Sequence, residues 1–287
     1  MLWFLLSLLA AISHSARDLF SKKSLQKVDL YITAWSFRSF TLPFLLPILL
    51  FIEIPNVDLT FWYALIIGGT LNLIVSIIYM KAIKTSPLSL TIPMLTFTPL
   101  FLLITSPIIL GEFPTTYGLI GILLIVLGAY VLNIREISKN LFAPFKMLVK
   151  EKGSILMLIV ALIWSITANI DKVAVQHSSP LFYTLIFNVF VSCLFLPLLF
   201  VKSRKGLKKI SLNVKGLILI GLFSALIPLF QFYAISLTLV AYVISIKRTS
   251  AIFSSLFGFF FFKEKGMKER LLGVMIMVIG VLFITLF

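Results

Sequence analysis

The 287-residue chain is 60% hydrophobic and 12% charged, with a mean hydropathy of +1.13. Soluble domains average roughly 45–50% apolar and about 25% charged residues, so too little polar surface is present to coat a soluble core. The net charge of +15 would suit a nucleic-acid binder, but the basic residues sit in short gaps between apolar runs and read instead as a topology signal and an attraction to anionic headgroups.

Runs long enough to cross about 30 Å of hydrocarbon lie near 2–20, 30–52, 60–80, 88–110 and 115–133, and again near 154–174, 181–201, 214–236, 239–262 and 270–287. The first, MLWFLLSLLAAIS, lacks the basic stretch of a cleaved leader and is expected to stay as a span. The fourth carries Pro87, Pro93, Pro99 and Pro107, each costing a backbone donor, and offers the hydroxyls of Thr91, Thr96 and Thr98. Between the two sets lies NIREISKNLFAPFKMLVKEKGS, whose LFAPFKMLVK core suits the membrane interface. The predicted organisation is a first five-helix repeat over 1–134, a linker over 135–153 and a second repeat over 154–287. Cys193 is alone, which excludes an intramolecular disulfide and a thiolate cluster.

The halves match each other. At a shift of 150, Ala11 meets Ala161, Ser15 Ser165, Lys22 Lys172, Phe37 Phe187, Phe40 Phe190 and Pro47 Pro197. At a shift of 152, Gly69 meets Gly221, Glu112 Glu264, Gly121 Gly273 and Gly128 Gly280. Five spans is an odd number, so the second half must enter the membrane inverted. Loop charges agree: EIPNVD has no Lys or Arg, whereas its counterpart KSRKGLKKISLNVK has six. Gaps after the odd-numbered spans hold 20 of the 25 Lys and Arg, which by the positive-inside rule puts both termini outside the cytoplasm. The fold class expected is all-α integral membrane, ten transmembrane helices as two inverted five-helix repeats around a central cavity.

The stretch AIKTSPLSLTIPMLTFTPLFLLITSPIILGEFPTTYGLIGILLIVLGAYVL resembles the third-to-fifth-helix signature of the drug/metabolite transporter superfamily, in its EamA-like families. FKEKGMKERLLGVMIMVIGVLFI resembles the matching end of the second half, and FRSF at 37–40 resembles the second-helix Arg of those families. The resemblance implies a central cavity opened alternately to each side and cargo drawn from small metabolites or drugs. It also implies both termini in the cytoplasm, the reverse of what the loop charges indicate.

Lys247 and Arg248 are the outstanding pair in the ninth run, with Lys247 about eight residues in, or about 12 Å deep. Helical neighbours point about 100° apart, so one is expected to face the cavity and the other a carbonyl or a helix interface. Arg38 adds a third deep cation, with Asn188 as its repeat partner, while Asp18 can neutralise Arg17. Glu53, Asp58, Glu112, Asp171 and Glu264 all fall at run ends, which leaves the interior net positive by up to three. The substrate-binding candidates are therefore Lys247, Arg248 and Arg38, with Asn72, Tyr79, Thr96, Trp164, Asn169, Asn188, Gln231 and Ser245. His14, Ser15, Ser76, Thr167 and Tyr233 are further polar groups near them, and His14 reads as a hydrogen-bonded interior histidine. Glu112 and Glu264 read as caps of the helices that follow, and the repeated glycines as sites of close helix approach.

The function expected is secondary transport, in the direction of export, of a small anionic or zwitterionic metabolite such as an amino acid, by alternating access. The alternatives are a flippase for a lipid-linked sugar phosphate and a proton-coupled drug efflux carrier. No phosphate-binding glycine loop, metal cluster or nucleophile–base pair appears, so neither an enzyme nor a cofactor is expected. The expected partners are a small-molecule substrate and membrane lipids, with no nucleic acid; a homodimer is left open.

Overall fold

A computed structural model describes residues 1–86, 91–133, 151–207, 210–253 and 267–286. Among them every regular element is helical. In the first half these are α1 (Leu2–Ser24), α2 (Leu30–Ser39), α3 (Leu59–Thr85), α4 (Thr98–Leu110) and α5 (Thr116–Asn133). In the second they are α6 (Lys152–Gln176), α7 (Pro180–Lys202), α8 (Val214–Leu237), α9 (Val240–Lys247) and α10 (Met267–Leu286). By length and composition five segments can cross a membrane unaided: Leu30–Leu50, which contains α2, and α3, α6, α7 and α8. The rest are shorter or, like α1 with Arg17 and Asp18, carry buried charge.

Proline and glycine decide where helices stop. Pro43 and Pro47 break the run after α2 into a helical turn over Leu42–Leu45 and a 3-10 segment over Leu46–Leu50. The counterpart α7 has Cys193 at the place of Pro43, keeps Pro197 at that of Pro47 and stays α-helical through it. The fourth run is broken as its prolines suggest, with a 3-10 segment over Ile92–Phe97 before α4. Gly111 ends α4 at φ 66°, the left-handed conformation that glycine alone adopts without strain. Asp58 caps α3, its carboxylate accepting from Phe61 N at 3.0 Å.

The packing exchanges the two halves. The α1 helix lies on α8 as α3 lies on α6; α9 meets α1 as α4 meets α6; α2 meets α7, and α5 pairs with α10. Individual contacts obey the same exchange. A Cβ on Gly69 would lie 2.6 Å from the Phe190 ring, and one on Gly221 would collide with the carbonyl of Phe40. A Cβ on Gly121 would meet the Gly280 carbonyl at 2.6 Å, and one on Gly128 the Gly273 carbonyl at 2.7 Å. Each contact becomes its partner when every residue is replaced by its repeat equivalent. The glycines thus mark close helix approach, against main chain at Gly121, Gly128 and Gly221 and against a ring at Gly69, a packing role that leaves α5 and α10 away from the centre.

Candidate functional site

Most of the helices send side chains into one cavity of about 80 Å³. Its wall carries His14 and Arg17 from α1, Phe37 and Arg38 from α2, Asn72 from α3 and Thr98 at the head of α4. The second half adds Trp164, Thr167 and Asp171 from α6, Phe187 from α7, Ser224 and Gln231 from α8, and Lys247 and Arg248 at the end of α9.

Arg17 is neutralised locally. Its Nε and Nη2 donate to Asp18 Oδ1 at 3.1 and 2.8 Å, and Nη2 lies 3.1 Å from His14 Nε2. A guanidinium only donates, so Nε2 is the acceptor and His14 is held as a neutral interior group, with Nδ1 at 3.2 Å from Asp18 Oδ2. The same guanidinium stacks over Phe37 at 4.5 Å and Tyr79 at 5.5 Å.

Among the described residues the other three cations hydrogen-bond only to neutral groups. Arg38 donates to the amide oxygens of Asn72 and Asn188, both at 3.3 Å, and lies over Phe187 at 4.8 Å. Both amides are aimed by their own helices. Asn72 Nδ2 donates to Gly68 O at 3.0 Å and Asn188 Nδ2 to Thr184 O at 2.7 Å, which turns the oxygens toward Arg38. Lys247 Nζ donates to Gln231 Oε1. Arg248 Nη2 donates to Thr98 Oγ1 at 2.7 Å, and its guanidinium lies over Trp164 at 5.5 Å. The Nε atoms of Arg38 and Arg248 are buried without a hydrogen-bond partner among the described residues. Arginine does not shed its proton, so these charges persist whatever surrounds them.

One acid shares the wall. Asp171 Oδ1 accepts from Tyr183 Oη at 2.7 Å, and among the described residues no ion pair joins Asp171 to any cation. With Arg17 and Asp18 cancelling, the three cations less Asp171 leave 3 − 1 = +2 of formal charge. The expected absence of a deep acid is corrected here. The α6 helix runs on to Gln176, more than a turn beyond Asp171, so a residue near the end of the apolar run is well inside the helix.

The EamA-like transporter family matches residues 1–134 and again 151–286. The chain belongs to the EamA-like transporter family. As a member it is an integral membrane protein and a small-molecule transporter. No curated protein sequence matches it. One solved crystal structure superposes with a TM-score of 0.62 at 16% identity, covering 96% of each chain, which shows a shared fold.

In this EamA-like chain, Lys247, Arg248, Arg38, Asn72, Trp164 and Gln231 come together on the cavity wall, as do His14 and Thr167. The other candidates lie off it. Asn188 stands behind Arg38 as its acceptor, and Tyr79 is fully buried with its ring 5.4 Å from that of Trp164. Asn169 turns to α4 instead, donating to Thr105 Oγ1 at 3.0 Å and accepting from Ser106 Oγ at 2.8 Å. Ser245 returns its hydroxyl to Ala241 O at 2.6 Å, Thr96 is buried within the 3-10 segment, and Tyr233 is exposed.

Two further expectations change. Lys247 and Arg248 both reach the cavity: Arg248 is still in helical geometry, its N–H on Ile244 O at 3.1 Å, and both side chains are long enough to enter one space from neighbouring helix positions. Beyond that point the chain tightens, with Thr249 N donating to Ile246 O at 2.9 Å and Ala251 N to Arg248 O at 3.1 Å. Glu112 caps a helix, but not the one that follows it: its Oε2 accepts from Val240 N at 3.0 Å at the start of α9. Its Oε1 accepts from Lys172, which also donates to Thr238 O at 2.8 Å. Glu264, Pro87 and the LFAPFKMLVK segment lie outside the described residues. The features missed from sequence were Asp171 with its Tyr183 hydroxyl, and the aromatic faces of Phe37 and Phe187 beneath the guanidiniums.

Proposed function

We propose that the protein is a secondary carrier, and an exporter, of a small anionic or zwitterionic metabolite. It would work by alternating access of ten crossing helices around the central cavity, with both termini outside the cytoplasm. One observation carries this reading: Arg38, Lys247 and Arg248 enter the same cavity and, among the described residues, no carboxylate is paired to any of them. Burying such charge is unfavourable until an anion neutralises it, so an acidic cargo gains what the empty site lacks. An excess of +2 would repel an organic cation, which disfavours cationic drug efflux. The exchange of contacts between the halves supports the mechanism, since an inverted repeat supplies two equivalent packings of one structure.

The test is thermal stabilisation of the purified protein, because a ligand raises apparent stability by mass action. Succinate and alanine represent the anionic and zwitterionic classes and tetraphenylphosphonium the cationic one. Stabilisation by an acidic probe, lost in Lys247→Met and in Arg248→Met, is the expected result. Stabilisation by the cation alone would reverse the reading.

A further inference from the structure

Unpaired opposite charges share the cavity and do not collapse onto each other. Asp171 is tethered by Tyr183 Oη at 2.7 Å, Arg38 by the amide oxygens of Asn72 and Asn188 at 3.3 Å, Arg248 by Thr98 at 2.7 Å, and Lys247 by Gln231. Elsewhere in the same bundle the chain pairs such groups readily, as Arg17 does with Asp18 and Lys172 with Glu112. Holding a carboxylate and three cations short of direct contact gives up much of the attraction that pairing would bring, unless a ligand bearing charges of both signs enters between them.

A simple anion would satisfy the cations but face Asp171, and a simple cation would face three like charges. A neutral zwitterion would satisfy one charge of each sign and leave the excess of +2 in place, whereas a second acidic group engages a further cation and halves that excess to +1. We propose that the site selects an anionic zwitterion, a molecule with one ammonium and two acidic groups, and that Asp171 is the acceptor for its ammonium. Tyr183 acts as a positioning residue, fixing one carboxylate oxygen so that the other faces the cavity. This assignment rests on the carrier reading above and deepens it to a charge pattern.

Three probes that differ by one group each test it on the full-length protein in detergent: L-glutamate, glutarate without the ammonium, and 4-aminobutyrate without the α-carboxylate. Half-maximal thermal stabilisation is expected at a concentration at least about tenfold lower for glutamate than for either analogue, as befits one charge-assisted hydrogen bond. In Asp171→Asn the advantage over glutarate is expected to vanish while that over 4-aminobutyrate remains. Tyr183→Phe, which frees the carboxylate, is expected to shrink the same advantage and serves if Asp171→Asn does not fold. Glutarate equal to or better than glutamate in the wild-type protein would overturn the ammonium subsite and leave the anion carrier standing. No stabilisation by any of the three would overturn both.

Discussion

Arg38 donates a hydrogen bond at 3.3 Å to Asn188, the residue that occupies its own place 150 positions later. His14 and Trp164, separated by the same 150 positions, meet edge to face with ring centroids 6.1 Å apart. Repeat equivalents touch only along the pseudo-two-fold axis, so the cavity lies on that axis and each half contributes one wall. The two walls differ in charge. Arg38 faces an amide, and Arg17 occupies the position that Thr167 holds in the second half. Symmetry thus sets the place of the site and its violation sets the chemistry.

Arg38→Met should therefore weaken binding of an acidic probe by at least about tenfold, since it deletes a permanent charge held only by neutral groups. Asn188→Ala should cost much less, because Asn72 still accepts from the guanidinium. Isothermal titration of both variants distinguishes them, and equal losses would mean that Asn188 itself touches the ligand.

The glycine contacts give a ranked prediction for stability. Gly221→Ala drives a methyl into the Phe40 main chain, which cannot move without shifting α2, whereas Gly69→Ala meets a Phe190 ring that can rotate. Overpacking typically costs about 1–3 kcal/mol, so Gly221→Ala should fall at the high end and Gly69→Ala at the low end. Melting temperatures in one detergent measure the order. A smaller loss at Gly221 than at Gly69 would contradict the backbone contact.

Much of this is legible in the sequence. The register between halves, the Gly and Phe equivalents, the neutralisation of Arg17 by Asp18 and the breaking of the fourth run all follow from residue type and spacing. What was hidden is which way a side chain turns on a helix that is packed on several sides. Asn169 and Asp171 are two residues apart on α6, yet one is bonded to α4 and the other opens on the cavity. No hydrophobic stripe distinguishes those faces. Distance from the nearest loop also misled, because it placed Asp171 at an end when α6 continues to Gln176. For Lys247 and Arg248 the offset of about 100° holds, since Arg248 still bonds Ile244 O, but two side chains this long reach one cavity despite it.

The Lys172–Glu112 pair should behave as a coupled unit. Both side chains are nearly buried, at 9% and 13% exposure, and the pair joins α6, the end of α4 and the start of α9. Lys172→Met alone strands a buried carboxylate and should cost about 3 kcal/mol, while the double variant with Glu112→Gln should recover most of it. A double-mutant cycle on melting temperature reads the coupling. Additive losses would mean that the two residues act independently.

Asp58 makes a weaker, pH-dependent contribution at an exposed helix end. The Phe61 N–H and, next, His177 at 2.8 Å hold its carboxyl below the usual range. A depressed value means that the stabilisation is fully present above the ordinary carboxylate pKa and is lost as pH falls through the lowered one. Asp58→Ala should lower the melting temperature at neutral pH and flatten its acid dependence. Asp58→Asn, a comparable cap without the charge, should keep most of the stability while flattening the same dependence.

Orientation follows from where the charges lie, and it can be read by labelling. Lys202 at the end of α7 is exposed and begins the most basic loop, whereas Asp58 and His177 belong to the opposite, Lys- and Arg-poor end. Anionic lipid and the membrane potential both favour keeping such a loop in the cytoplasm. In a chain whose exposed Cys193 is replaced by Ala, a cysteine at position 202 should resist a membrane-impermeant maleimide in intact cells and react once the cells are opened. A cysteine at position 177 should react in intact cells. The opposite pattern would invert the carrier and turn the proposed direction of its basic face outward.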